Sequence, residues 1–572
     1  MKPLFNTLAE VYDYSTTHFQ KRIACEFVGG DESNSYLQFK EKADNLSRVL
    51  SNFGIGATDK VAILSENLPN WSIAFFSITA FGRIAVPMLP ELSHDEVENI
   101  MAHSESKAIF VSKKQLPKLS PETIGRLNLV IDIEDFSFVK SDGSTYTCDG
   151  KVGIPMSMDT AAIIYTSGTT GKAKGVMLSH RNFCTNIMSS WYSYKLGKKD
   201  VMLSILPMAH TYEMSIGMLY PFAVGAKVSY IQKAPTPSIL IGALKKVRPT
   251  AMLSVPLIIE KIYKSSVVPT INKSHFLRFL RDKMPWLLYK LVGMKLMKTF
   301  GGRIGFFGIG GAKLDPTVEA FLSKAGFPYS IGYGLTETAP LICAASPHKT
   351  KVGSTGKPVP DIQVRLDNVN PETGEGELVV KGPNVMLGYY KDYERTLSVL
   401  RLDGWFHTGD LAYVDKKGRY YIRGRMGNLI LGSSGENIYP EEIEAVINSM
   451  EGVGESLVVQ RDGKLVALVQ MNDNIIDWNL EGEDKFIEEL EARQKAIVEF
   501  VNSKVSKFSK IRSVEIQKEP FVKTATHKIK RFLYEKDKKK EGMSLLLPFC
   551  KRHLSEVRVV VPSVSGHLFS EP

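Results

Sequence analysis

Through the first 350 residues, short apolar runs alternate with longer stretches of helical character. VAIL at 61–64, AIFVS at 108–112, LVIDI at 129–133 and AMLSV at 251–255 predict strands, and 95–103 is one of the predicted helices between them. That alternation predicts an α/β fold with layered, largely parallel sheets.

Past Gly356 the strands crowd together. IQVRLDN, GELVVKG and LAYVDKKGRYYIRGR predict an antiparallel β subdomain, with Lys416, Lys417 and Gly418 at a hairpin turn. Then comes a glycine-rich stretch, GNLILGSSGENIYP, and a helix start marked by Pro440 at its first position and Glu441 and Glu442 in its first turn. A second hairpin turning at Asp462 and Gly463 and a helix carrying Phe486, Leu490, Ile497 and Val501 complete a compact α+β unit. The pattern predicts a large N-terminal domain over 1–424, a junction at 425–428, a small C-terminal domain over 429–534 and a basic tail over 535–572 to which no role is assigned.

Composition changes the picture little. The 572 residues are 44% hydrophobic and 23% charged, as in folded multidomain proteins. Charge is more informative: the net +11 is concentrated in 261–303, where ten basic residues face only Asp282, and in 521–552, where ten face three acids. Neither segment carries a recognition-strand aromatic motif or a cysteine–histidine finger, so nucleic acid is not an expected partner. Cys25, Cys148, Cys184, Cys343 and Cys550 form no CxxC pair, which excludes a zinc cluster or disulfide framework and suits a reducing cytoplasm. The N-terminus lacks an apolar signal core, and the run 71–81 is well short of the ~20 residues that span a bilayer, so a soluble or peripheral protein is expected.

The segment richest in chemistry is YTSGTTGKAKGV at 165–176, directly after the predicted strand AAII. Gly168, Gly171 and Gly175 let backbone N–H groups approach an anion; Thr166, Ser167, Thr169 and Thr170 add hydroxyls, and Lys172 and Lys174 add charge. It is not a Walker loop: position 166, where the first glycine would stand, is Thr, and Ala173 follows Lys172. Further on, SIGYGLTETAP at 330–340 leads through two glycines to Thr336 and Glu337, a carboxylate suited to Mg2+ beside phosphates. GIGGAKLDP at 308–316, FHTGDLAYVD at 406–415 and IRGRMGN at 422–428 complete the series.

These five motifs, taken in chain order, resemble the adenylate-forming superfamily, and most closely its long-chain acyl-CoA synthetases, over roughly residues 4–534. The resemblance implies that TSGTTGKAKG handles the β- and γ-phosphates of ATP, that Gly310, Gly311 and Ala312 contact adenine, and that Tyr333, Gly334, Thr336 and Glu337 bring adenine, phosphate and Mg2+ contacts. It implies that Asp410 accepts hydrogen bonds from both ribose hydroxyls, that Arg425 supports the ribose, that Gly427 lies in a hinge about which a mobile small domain swings, and that Lys528 is the lysine of the closing motif. LPMAHTYE at 206–213 resembles the family's aromatic-site motif and implies that His210 lines the acyl site. Departures occur at Ala173, where proline is common, at His527, where glycine is usual, and at Gly427 and Asn428, where charged residues are common.

The implied activity is ATP-dependent activation of a fatty acid to an acyl-adenylate, then thioester formation with coenzyme A. An acyl-AMP ligase, or a ligase charging an acyl carrier protein, is the alternative. For 276–300 the expectation is contact with the inner face of a membrane, because Lys290, Lys295 and Lys298 fall in one helical arc opposite Trp286, Leu296 and Phe300.

Overall fold

A computed structural model of the chain describes residues 4–141, 153–167, 173–232, 236–432, 437–472, 475–476, 483–524 and 528–535. The chain divides into two compact units, Met1–Thr408 with Ala412–Ile422, and Gly409–Leu411 with Arg423 onward.

The first unit holds two large sheets. One runs in the order Gly388–Tyr389, Ala173–Ser179, Thr160–Ser167, Ile84–Met88, Lys60–Leu64, Ala108–Val111, Leu129–Asp132, Phe138–Ser141, parallel at its centre and antiparallel at both ends. Its central strands read as unbroken apolar runs because both faces are covered. Val61, Ile63, Ala108 and Phe110 point into one apolar cluster while Ala62, Leu64, Ile109 and Val111 point into another, the two-residue period of a strand.

The second sheet has nine strands, and its middle, Phe306–Ile309, Ala251–Ser254, Val201–Ser204 and Lys227–Tyr230, is parallel. Met202, Ala251 and Leu253 join the cluster that also takes Val61 and Phe110 from the first sheet. Helices lie within that shared core; in Pro69–Thr79 every residue is buried, so the run 71–81 is core rather than a membrane segment. No helix among the described residues is long and apolar enough to cross a membrane.

A four-stranded sheet follows in the order Gln363–Asp367, Gly376–Lys381, Phe406–Val414, Tyr420–Arg425. Its last turn closes where Asp415 accepts from the backbone N–H groups of Lys417 and Arg419, with Gly418 at φ +74°. In the second unit, Val453–Arg461 and Lys464–Met471 form the hairpin predicted from Asp462 and Gly463; both sit at positive φ, as a two-residue turn requires. Ser513–Gln517 adds a parallel strand. Helix Pro440–Asn448 begins with proline at its first turn, and Glu483–Asn502 buries Leu490, Ile497 and Val501.

Helix Pro285–Thr299 departs from the expected membrane face. Leu296 and Phe300 are buried among Leu244, Phe307 and Phe327, because that part of the helix packs on the second sheet's own core; of the expected face only Trp286 is exposed, together with Met294 on the same helix and Phe276 and Phe279 on the preceding helix His275–Lys283.

Candidate active site

The glycine-rich segment joins two antiparallel strands of the first sheet, with Thr166 opposite Lys174 and Tyr165 opposite Gly175. Directly opposed residues share a face, so the threonine and lysine project to the same side. Gly175 is required there, since a Cβ would run into Ile163 and the Tyr165 ring. Thr166 Oγ1 is buried with no hydrogen-bond partner among the described residues. A buried hydroxyl in that state is a candidate donor to an absent ligand, given the desolvation cost of leaving it unmade. Gly168, Thr169, Thr170, Gly171 and Lys172 lie outside the described residues, and no side-chain contact of Ser167 is described.

Lys174 donates to Glu337 Oε1 at 2.7 Å and to the Tyr389 hydroxyl at 2.8 Å, and that hydroxyl donates to the same Oε1 at 2.9 Å. Glu337 is 8% exposed, not the surface acid its place after a turn implies. Burial alone would raise its carboxyl, but the Lys174 charge and the hydrogen bonds outweigh burial and hold it below the ordinary carboxylate range. Both described side-chain contacts use Oε1 of a carboxylate whose residue type suits a hard cation.

Three neighbours fix the turn 336–338 that carries Glu337. Asn186, on helix His180–Ser193, donates to the Thr338 carbonyl and accepts from Leu341 N–H; Ser215 donates to the Ala339 carbonyl at 2.7 Å. Met386 N–H donates to the carbonyl of Glu337 itself. Gly334 admits the fold-back, as a Cβ there would strike the Pro340 carbonyl. Thr336 and Tyr333 are half-buried on the same stretch.

Strands Tyr329–Gly334 and Leu341–Ala344, on either side of that turn, contribute Ser330, Gly332, Leu341 and Ala344 to the wall of a mainly apolar cavity. Tyr212 and Ile216 of the segment after LPMAH line the opposite side. Tyr212 also packs against the backbone at Gly308 and Gly310, closely enough that a Cβ at either would crowd it. Thus the glycines before Ala312 serve helix–strand packing, while Gly311 (φ +87°) and Ala312 are exposed at the strand end. His210 is half-buried just before, and its Nδ1 accepts from Tyr212 N–H at 3.3 Å.

In the second unit, Asp410 is buried and its Oδ1 pairs with Arg425 Nε at 2.8 Å, which orients the carboxylate. Gly427 is exposed in the short turn Met426–Asn428, with open space where a Cβ would go. Asn428 donates to Glu441 at 2.6 Å. Lys528 is exposed on a loop braced by Thr524, whose hydroxyl accepts from Lys528 N–H and whose N–H donates to the Lys528 carbonyl. Its basic neighbours Lys523 and Arg531 are committed to Glu455 and Glu444. His527 lies outside the described residues.

Sequence reasoning missed Tyr389, Asn186 and Ser215. Tyr389 stands 52 residues beyond Glu337 and 215 beyond Lys174, and no local spacing marks it.

Comparison with known proteins identifies the family. Residues 13–390 match the AMP-binding enzyme family. The chain is 31% identical over 545 residues to a peroxisomal long chain acyl-CoA synthetase of Arabidopsis thaliana, covering 84% of this chain and 77% of that protein. It is 28% identical over 527 residues to a chloroplastic long-chain-fatty-acid–[acyl-carrier-protein] ligase of the same plant, covering 76% and 72%. Its fold is that of O-succinylbenzoate coenzyme A synthetase from Bacillus subtilis in complex with ATP and magnesium ion, with a TM-score of 0.73 at 21% identity, covering 91% of this chain and 98% of the other. With the family match running over most of its length, the chain belongs to the AMP-binding enzymes, the adenylate-forming superfamily that its five motifs resemble.

Proposed function

We propose that the protein activates a medium-to-long fatty acid with ATP and transfers the acyl group to coenzyme A, releasing AMP and pyrophosphate. One observation carries this reading: a single strand–turn–strand, 329–344, lines an apolar cavity with four residues and presents Thr336 and Glu337 at its turn. An apolar chain in the cavity then has its carboxylate at the end where nucleotide phosphate would be held.

In the first step the substrate carboxylate attacks the α-phosphorus, the bond to the β-phosphate oxygen breaks, and pyrophosphate leaves. Thr166 and Thr336 supply hydroxyl donors to phosphate oxygens, Lys174 keeps Glu337 ionised, and Asp410, held by Arg425, accepts from the ribose hydroxyls. Lys528 brings its charge to the developing phosphate charge and withdraws for the second step by rotation about 425–428. Glu337 would hold Mg2+, which when bound neutralises phosphate charge. His210 lines the acyl site. The thiol of coenzyme A then attacks the acyl carbon and AMP departs.

The carrier-protein relative supports a second acceptor, the same thiol arm on acyl carrier protein. Pyrophosphate release across acids from acetate to twenty carbons, and benzoate, tests the first step; a higher kcat/KM for acetate or benzoate than for twelve- to eighteen-carbon acids would sink the substrate class. Side-by-side assay of coenzyme A and acyl carrier protein decides the acceptor. Lys528→Ala should slow adenylate formation by ~100-fold or more, as loss of a preorganised charge does, with thiolysis of supplied adenylate within about tenfold. Equal losses at Lys530→Ala would refute a specific role for Lys528.

A cytoplasmic location with peripheral contact at the inner face of a membrane is part of the same proposal. Exposed Phe276, Phe279 and Trp286 among Lys273, Lys283 and Lys290 support it. Equal sedimentation with and without anionic liposomes would remove it.

A further inference from the structure

The segment LPMAH lies just beyond strand Val201–Ser204 of the second sheet, and its course is set from the first sheet by one amide. Asn67 stands in the connection between strand Lys60–Leu64 and helix Pro69–Thr79. Its Nδ2 donates to the Leu206 carbonyl at 2.6 Å, and its Oδ1 accepts from Met208 N–H at 2.9 Å. Nδ2 also donates to Ser204 Oγ at 3.3 Å. Only this orientation of the amide sets a donor against the carbonyl and an acceptor against the N–H. The side chain thus does for 206–208 what a neighbouring strand does in a sheet, pairing with the backbone on both sides of Pro207, which has no N–H to give.

Asn67 is a fixed point because its neighbours are committed to the first sheet. Glu66 accepts from Ser112 Oγ at 2.8 Å and from Gln115 Nε2 at 2.6 Å, and Asn70 donates to the carbonyls of Ile133 and Glu134. These contacts tie the connection to the ends of strands Ala108–Val111 and Leu129–Asp132. The arm belongs to one sheet and the segment it holds to the other.

From Met208 the restraint reaches His210 in two residues, through buried Met208 and Ala209. His210 N–H donates to the Pro207 carbonyl, its own carbonyl accepts from Met214 N–H, and its Nδ1 accepts from Tyr212 N–H. We infer that Asn67 is a positioning residue for His210, acting through the backbone of 206–208. This rests on the acyl-activating reading above, in which His210 lines the acyl site. No motif marks Asn67, which stands 139 residues before Leu206.

The test is a double-mutant cycle in the full chain, read as kcat/KM for a sixteen-carbon acid in pyrophosphate release. Asn67→Asp keeps the shape and the acceptor for Met208 N–H but sets a carboxylate against the Leu206 carbonyl. It should lower kcat/KM for the acid by ~10-fold or more, the scale of a small misplacement, and leave KM for ATP within about twofold. In a His210→Ala background the same substitution should cost no more than about twofold, since the ring it places is gone. Asn67→Ser removes the amide without adding charge and should behave alike, which covers failure of the aspartate variant to fold. Equal losses in both backgrounds would mean that Asn67 braces the fold as a whole and would overturn the inference. A second readout needs no turnover: in Asn67→Ser the His210 ring resonances should shift, while those of His180, whose Nδ1 accepts from Leu8 N–H, stay in place. Unmoved His210 signals overturn the inference as well. If the unmodified protein releases no pyrophosphate with any fatty acid, the activity reading fails, and the histidine spectrum still decides whether Asn67 places His210.

Discussion

Glu213 and Glu337 are both buried, and the structure treats them oppositely. Glu337 shares Oε1 with Lys174 and Tyr389 and is held in its ionised form. Glu213 opens the wide helical turn Glu213–Leu219, folded over Gly217, and neither oxygen has a hydrogen-bond partner among the described residues. Burial pushes its carboxyl up to about 8, with the Ser204 hydroxyl, short of hydrogen-bond geometry, opposing only part of that. Burial alone thus does not decide a carboxylate's charge; the partner does. The contrast matters because the two regions touch, through Ser215 and the Ala339 carbonyl.

The comparison breaks most severely at Lys174. Lys174→Met leaves Glu337 buried without its cation, and we expect a stability loss of ~3–5 kcal/mol in urea unfolding. Much of that loss should return in the double variant with Glu337→Gln; simple additivity of the two losses would show that the pair is not coupled.

Glu337→Gln alone should cost ~1.5–3 kcal/mol, because it removes charge-assisted hydrogen bonds as well as a candidate metal ligand. Its near-isosteric shape does not spare the fold, contrary to what a surface position would give. The lowered folded-state pKa means this stabilisation is complete above the unfolded value of ~4.3 and is lost as pH falls through the folded value. Unfolding midpoints from pH 7 to 3 should therefore fall less in the variant than in the unmodified protein.

Glu213→Gln sharpens the other side. A carboxyl raised to about 8 keeps its proton when folded, so stability falls as pH rises from the unfolded value toward 8. The amide removes that slope: starting from no advantage at pH 4, we expect the variant to gain on the unmodified protein by about 1.4 kcal/mol for each pH unit between the unfolded and folded values. A gain that is independent of pH would mean Glu213 is ionised when folded. Smallest is Ser215→Ala, which cuts the link between the regions at ~1 kcal/mol and leaves the Ala339 carbonyl unpaired, read as a small drop in melting temperature.

The sequence by itself determined the local structure. Apolar runs of four or five residues gave strands, Asp462–Gly463 gave a two-residue turn, and Pro440 with two glutamates gave a helix start, because each depends on backbone preferences and on side chains a few residues apart. The motifs holding Lys174 and Glu337 were likewise visible one at a time. Their meeting at 2.7 Å across 163 residues, with Tyr389 between them, was decided by the tertiary structure, since sheet order and loop path leave no spacing signature. So was the face of Pro285–Thr299, where periodicity located an apolar side but not the core that Leu296 and Phe300 would enter. The cavity belongs to the same class: residues from 190 to 344 converge only when strands and helices pack, and packing is a property of neighbours in space that a linear pattern does not record.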